Sequence, residues 1–158
     1  MLSLSAALTR EHRDIDAGIE AFVDGLDRGA VELEPLLTAF EALRRHIYLE
    51  ETFLFPPIRQ AGVLMPVLVM LREHGALWTL MDRLTELVLD HADPVEVELR
   101  STCHELLAQL EQHNTKEEPI IYPHAETDLT EDAGAELAEF LQRGTTPEGW
   151  VCEAAHAR

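Results

Sequence analysis

The feature that most constrains this chain is a short phrase, present in two near-copies, that places a glutamate four residues after a histidine. The first copy pairs His46 with Glu50, and the second pairs His113 with Glu117. On an α-helix, residues four apart lie on one face, so each copy can aim an imidazole and a carboxylate at a common point. Because iron, zinc and manganese bind imidazole and carboxylate, the two copies predict a metal site.

A single histidine precedes each copy on an earlier apolar stretch. His12 follows Glu11, His74 follows Glu73, and both histidines fall on stripes of apolar residues with helical spacing. One histidine on such a stripe is usually a hydrogen-bonded core residue. Four of them, two with a glutamate at the fourth position, favour metal ligation, because burying an imidazole without a partner is costly.

Apolar spacing predicts four long helices, a shorter fifth helix and no strand. Caps, prolines and glycines set the expected boundaries. The predicted helices run from a Ser3 or Ser5 cap to Asp24-Gly25, from Pro35 to Pro56-Pro57, onward from Pro66, from Asp93-Pro94 to Pro119, and over 131–143 between a Thr130 cap and Gly144.

Four long helices with short links predict an all-α, antiparallel, up-down-up-down four-helix bundle over residues 1–125, with a short additional C-terminal helix and tail over 126–158. In an antiparallel bundle, ligands on neighbouring helices lie about equally far from the loop between them. The four histidines meet this condition within the roughly 2–4 residues to which sequence fixes helix ends. They are therefore expected in one layer.

The two helix–loop–helix halves, 1–57 and 65–123, resemble each other. Facing halves would bring two metals together, with an imidazole from every helix and a bridging carboxylate from each half. The first two histidines would bind one metal and the last two the other. The expected ligands are His12, His46, Glu50, His74, His113 and Glu117.

The remaining acidic and histidine side chains near these ligands leave alternatives open. Glu51 and Glu118 point about 100° away from their neighbours on a helix and are expected in solvent or beside a ligand. Asp16, one turn after His12, either orients that ring, supplies a further ligand or lies at the surface. No metal is expected at the other histidines, which are His91, His104, His124 and His156.

Composition excludes several classes of partner. A net charge of −18 argues against nucleic acid and against an anionic membrane surface. The two cysteines form no Cys-x-x-Cys motif, the N-terminus has no signal-peptide pattern, and no apolar run approaches the roughly 20 residues of a membrane span. We expect a cytoplasmic monomer or weak homodimer.

With these six residues in place, the chain resembles the hemerythrin-like, or HHE cation-binding, domain family over roughly residues 1–125. The resemblance implies an antiparallel four-helix bundle with a non-haem di-iron site. Members of the family carry or sense oxygen, handle nitric oxide or peroxide, or sense iron. The implied cofactor is two iron ions with bridging carboxylates and an oxo or hydroxo bridge, and zinc is a possible occupant.

The chain departs from the oxygen-carrying hemerythrins at two positions. Their third helix has a second histidine where this chain has Trp78, and their last helix has an aspartate where this chain has Glu118. We prefer Glu117 as the ligand because it shares the face of His113 and matches Glu50, and Glu118 is the alternative.

The missing histidine leaves each iron with two imidazoles, two carboxylate oxygens and the bridging oxygen. Each iron then keeps an open position unless Asp16 or Glu51 fills it, which favours coordination and turnover of small oxidants. The buried side chains expected to keep this pocket dry are Leu106, Leu110, Met70 and Trp78.

Two functions follow as hypotheses. The first is a di-iron protein that binds or turns over oxygen, nitric oxide or hydrogen peroxide, with catalase-like, peroxidase-like or nitric-oxide-handling activity if it is an enzyme. The second is an iron or oxygen sensor or a metal store, for which zinc is an alternative occupant and which performs no catalysis. A ferritin-like site is disfavoured, because its Glu-x-x-His signature has the reverse order.

Overall fold

The computed structural model describes residues 2–89 and 96–156, and this part of the chain is helical and has no strand. The predicted all-α class is confirmed. The helices are α1 (Leu4–Asp27), α2 (Leu33–Leu49), α3 (Phe55–Gln60), α4 (Met65–Leu89), α5 (Glu96–Lys116), α6 (Pro123–Thr127), α7 (Glu131–Arg143) and α8 (Glu153–His156). The first π turn (Glu50–Leu54) joins α2 to α3, and the second π turn (Glu117–Ile121) joins α5 to α6.

The four long helices, α1, α2, α4 and α5, share one apolar cluster, and a second apolar cluster combines residues of α1, α2 and α4 with residues of the short helices α3, α6 and α7. α1 packs against α2 and α5, and α4 packs against the same two helices. Ile15 of α1 belongs to the first apolar cluster, and Leu8, about two turns earlier in the same helix, belongs to the second. His12 lies between these two residues and is also buried. A layer of buried polar side chains therefore separates the two apolar clusters.

Several predicted boundaries hold and three are wrong. Ser3, one of the two predicted caps, accepts a hydrogen bond at its Oγ from the backbone N–H three residues on, at 3.2 Å. The predicted end of α1 at Asp24-Gly25 is wrong, because the helix continues to Asp27 and the chain turns at Gly29. The φ of 78° at Gly29 lies in the left-handed region, which favours glycine.

The shorter helix near the C-terminus has the predicted bounds of 131–143. The Oγ1 of Thr130 accepts a hydrogen bond from the N–H of Ala133 at 3.1 Å, as expected of an N-cap. The predicted start of the fourth long helix at Asp93-Pro94 lies outside the described residues.

Two predicted helix ends at prolines are wrong. The chain stays helical through Pro56 and Pro57 and again through Pro119. A proline usually ends a helix because it has no N–H and because its ring meets the carbonyl four residues earlier. Each of these prolines lies in or directly after a π turn. There the hydrogen bonds run to the carbonyl five residues back, and the four-residue bond that a proline would break is not formed.

The segment after α6 folds back over the long helices. α7 packs against α1 and α2, and α8 packs against α4. The Trp150 ring lies 5.5 Å from the Trp78 ring and 5.0 Å from the Tyr48 ring, and Cys152 is buried in the core. No described helix has both the length and the apolar character needed to cross a membrane.

A side chain at position 75 should displace this tail. A Cβ on Gly75 would stand 2.7 Å from the Cβ of Ala154, closer than two carbon atoms can pack. Overpacking of this kind destabilises a packed contact by about 1–3 kcal/mol, so the tail of the Gly75→Ala protein should detach from α4 at least about five times more often. The thiol of Cys152 should then be modified at least about fivefold faster. The rate is measured with a thiol reagent in a Cys103→Ala background.

Gly134→Ala is the matched control, because its Cβ would meet no atom closer than 3.8 Å. This control should leave the rate of modification unchanged. An equal rate in the Gly75→Ala protein and its parent would contradict the close packing of the tail on α4.

Candidate metal centre

All six residues predicted as ligands are buried, and none is more than 4% exposed. They meet in two groups, and within each group the potential ligand atoms lie within 4.8 Å of one another. Both groups include Glu50 and Glu117. Cluster 1 adds His12 and His46, and cluster 2 adds His74 and His113, which is the pairing expected from the sequence.

The two glutamates divide their oxygens between the clusters. Each carboxylate places one oxygen near a histidine of cluster 1 and the other near a histidine of cluster 2. The distances to Nε2 are 3.2 Å from Glu50 Oε2 to His46, 3.0 Å from Glu50 Oε1 to His74, 3.1 Å from Glu117 Oε1 to His12 and 3.2 Å from Glu117 Oε2 to His113. This arrangement would let both carboxylates bridge two cations.

A second carboxylate holds the other ring nitrogen of each histidine. Because an ionised carboxylate only accepts hydrogen bonds, each ring donates from Nδ1, and a neutral ring held in this way presents the lone pair of Nε2 to its cluster. The Nδ1 distances are 2.8 Å from His12 to Glu118, 2.8 Å from His46 to Glu11, 2.7 Å from His74 to Glu51 and 2.9 Å from His113 to Glu73.

These outer carboxylates, the outer ring, connect the long helices in a closed order. α1 supplies Glu11 to the histidine of α2, and the turn after α2 supplies Glu51 to the histidine of α4. α4 supplies Glu73 to the histidine of α5, and the turn after α5 supplies Glu118 back to α1. The orientation of every imidazole therefore depends on a neighbouring helix.

The structure places the residues that the sequence left open. Glu118 is 36% exposed and lies outside both clusters, and Glu51 likewise contacts a ring nitrogen from outside. Asp16 is outside both clusters too, and burial raises its pKa to about 6. His104 is exposed and His124 bonds to Asp128 at 2.6 Å, whereas His91 and the side chain of His156 lie outside the described residues.

The electrostatics of the clusters fit a bound cation. Burial would raise the pKa of Glu117, but the neighbouring His113 and His12 hold that pKa well below its ordinary value. Burial would lower the pKa of His113, yet Glu117 and Glu73 raise it to about 10. Without a cation, protons on the imidazoles balance the buried carboxylates.

One buried carboxylate oxygen of the clusters forms no hydrogen bond. Glu117 Oε2 lies 3.2 Å from His113 Nε2 but accepts no hydrogen bond, although a buried carboxylate oxygen normally requires one. A cation in cluster 2 would supply the missing interaction. The donor set of imidazole nitrogens and carboxylate oxygens suits iron and zinc.

A small cavity of about 10 Å³ lies at the two clusters, and this is roughly the space of one water-sized molecule. Its polar lining includes five of the six candidate ligands, together with Asp16 and Asn114. Its apolar lining includes Leu110, as predicted, together with Leu43, Ile47 and Leu77. The other side chains expected there are buried but do not line this cavity. They are Leu106, Met70 and Trp78.

Tyr122 was not predicted from the sequence, and its hydroxyl lies among the candidate ligand atoms of cluster 1. This residue comes nine positions after His113, which is half a turn out of phase on a regular α-helix. The second π turn changes the phase, because the N–H of Tyr122 bonds to the carbonyl of Glu117 at 3.0 Å and stacks the two residues one turn apart. Burial, with the charges of Glu117 and Glu50, raises the pKa of Tyr122 well above its ordinary value.

Glu11 and Glu73 likewise have a role that was not predicted from the sequence. Each directly precedes a histidine, which was a visible signal. However, each bonds to the histidine of the next helix rather than to its own neighbour. Only the packing of the helices reveals that contact.

The helices and the buried clusters define an all-helical protein with a candidate cation centre. The family model described as the hemerythrin HHE cation-binding domain matches residues 3–125. The chain belongs to this family, and the resemblance drawn from the six motif residues is confirmed. Comparisons with curated proteins and with solved structures found no match.

The outer ring should control metal affinity. Glu118→Ala removes the acceptor of His12 Nδ1 without touching a cluster, and loss of such a partner typically lowers metal affinity roughly 10–100-fold. Competition with a chelator measures the change. Glu105→Ala, an exposed position on α5, is the control and should bind metal as the parent does.

Equal affinities in the Glu118→Ala and Glu105→Ala proteins would show that the outer ring does not orient the ligands.

Proposed function

We propose that this chain is a non-haem di-iron protein that binds or turns over a small oxidant or diatomic ligand. The observation that carries the proposal is the division of the Glu50 and Glu117 oxygens between two clusters that each contain two imidazoles. A single-metal site would not require two carboxylates that each face both ways. The family match supports cation binding by this domain.

We also propose that the four long helices form the antiparallel up-down-up-down bundle expected from the sequence. The packing of α1 and α4 against the same two helices supports this arrangement. So does the meeting of the four histidines in one layer, since equal distances from the connecting loops would produce it.

The cavity supports a small ligand. Its volume of about 10 Å³ suits oxygen, nitric oxide or peroxide better than any larger substrate, and its wall places leucine and isoleucine side chains beside the candidate metal ligands. Iron, when bound, would supply a Lewis acid and a source of electrons. The protein's own part is to hold the two cations, orient the imidazoles through the outer ring and exclude bulk water.

Hydrogen peroxide can serve as both oxidant and reductant at such a site. In its disproportionation one molecule is reduced to water while another is oxidised to oxygen, so no external reductant is needed. Nitric oxide or oxygen would instead be bound, or reduced by a separate partner.

A second candidate function is an iron or oxygen sensor, or a metal store that also accepts zinc. One observation favours it. The N–H of Glu153, at the start of α8, donates to Glu51 Oε1 at 3.0 Å, while Glu51 Oε2 bonds to His74 at 2.7 Å. A change at a metal ligand could thus reach the tail through one side chain.

Metal counting combined with absorption spectroscopy tests these functions. Protein purified without a histidine tag and reconstituted with iron should hold two irons per chain. Its near-ultraviolet absorption should change on addition of peroxide and then return. Glu117→Ala, which removes a bridging carboxylate, should abolish binding of the pair, and Glu105→Ala should retain it.

Iron or zinc that is bound but gives no response to oxygen, nitric oxide or peroxide would favour the sensor or store. A reconstituted protein that holds no metal would contradict both functions.

A further inference from the structure

Tyr122 places its phenol oxygen within 3.0 Å of one candidate ligand atom from each of the four residues of cluster 1. On the basis of the di-metal centre proposed for this chain, we propose that Tyr122 is a fifth protein ligand of the cation in cluster 1. The two cations would then have unequal ligand sets, five protein atoms in cluster 1 and four in cluster 2.

The distances match those between ligands of one cation. Tyr122 Oη lies 2.8 Å from His12 Nε2, 3.0 Å from His46 Nε2, 2.7 Å from Glu50 Oε2 and 2.9 Å from Glu117 Oε1. Adjacent ligands of a six-coordinate cation lie about 3 Å apart when the metal–ligand bonds are roughly 2.0–2.2 Å long. The five atoms have the spacing of neighbours around a single ion.

Hydrogen bonding alone does not explain this arrangement. A phenol has one proton to donate, and four atoms surround its oxygen. When both imidazoles are protonated, their Nε2–H groups can donate to this oxygen, but the single phenol proton still faces two carboxylate oxygens, so one of those two contacts joins lone pairs. When the imidazoles are neutral and donate only from Nδ1 to the outer ring, two further contacts join lone pairs, whereas a cation would satisfy all four.

The duplication of the chain shows that this oxygen belongs to one cluster only. Phe55 follows the first π turn and precedes a proline, just as Tyr122 follows the second π turn and precedes one. Phe55 stacks on His74 with ring centres 5.5 Å apart, and Tyr122 stacks on His12 at 5.4 Å. The two rings occupy equivalent places, and only the tyrosine carries a donor atom.

This asymmetry bears on where a small ligand binds. Because Trp78 stands where the oxygen-carrying hemerythrins have a histidine, the sequence predicted one open coordination position on each iron. With Tyr122 as a ligand, the cation of cluster 2 keeps the greater number of free positions. The oxidant or diatomic ligand is therefore expected at cluster 2.

Resonance Raman and visible spectra of the ferric, fully loaded chain test the assignment directly. A phenolate bound to ferric iron gives a visible charge-transfer band and enhanced tyrosinate ring modes. We expect both in the parent protein and their loss in Tyr122→Phe. The first equivalent of iron should also bind at least about tenfold more weakly in that variant, the lower limit for losing even an outer partner.

The only other tyrosine supplies the control. Tyr48 packs among Phe53, Phe140 and Trp150, away from both clusters, and Tyr48→Phe should keep the band. Two bound irons without a phenolate signal in the parent protein would overturn the ligand assignment and leave the di-iron centre standing. Persistence of the signal in Tyr122→Phe would overturn it as well. A parent protein that takes up no iron would overturn both.

Discussion

The whole structure depends on the burial of two carboxylates, Glu50 and Glu117, at the centre of a helical core. Neither side chain is exposed, and an ionised carboxylate without partners would be strongly destabilising there. Each is therefore surrounded by imidazoles from different helices, and each imidazole is held by the outer ring. A buried ionic network of this size is weak evidence for stability, since apolar side chains could fill the same space. It is better explained by a bound cation.

The π turns link this core to the backbone. Glu50 and Glu117 are the first residues of the two turns, and the hydrogen-bond pattern of a π turn accommodates the prolines that come after them. The same turns stack Phe55 on the ring of His74 and Tyr122 on the ring of His12. π turns recur at functional sites because the inserted residue re-aims side chains that a regular helix would turn away. Here both copies of the duplicated half use that device.

Much of the site could be predicted from the sequence because helical periodicity alone fixes which residues share a face. The spacing of His113 and Glu117, and the apolar stripe around His12, therefore sufficed. Helix ends at prolines were predicted wrongly, since the rule assumes an α turn. Contacts between helices, such as Glu11 with the imidazole of α2, depend on packing that no local pattern encodes. Tyr122 was not predicted because the π turn was not predicted: on a regular α-helix, its position would face away from His113.

The distance between the two metals tests the central claim most directly. X-ray absorption fine structure on the iron-loaded chain measures that distance without a crystal. Two cations bridged by the carboxylates of Glu50 and Glu117, with or without a bridging oxygen, should give a first shell of nitrogen and oxygen and a second iron at about 3–4 Å. Iron with no metal neighbour within that range would contradict a shared, carboxylate-bridged centre.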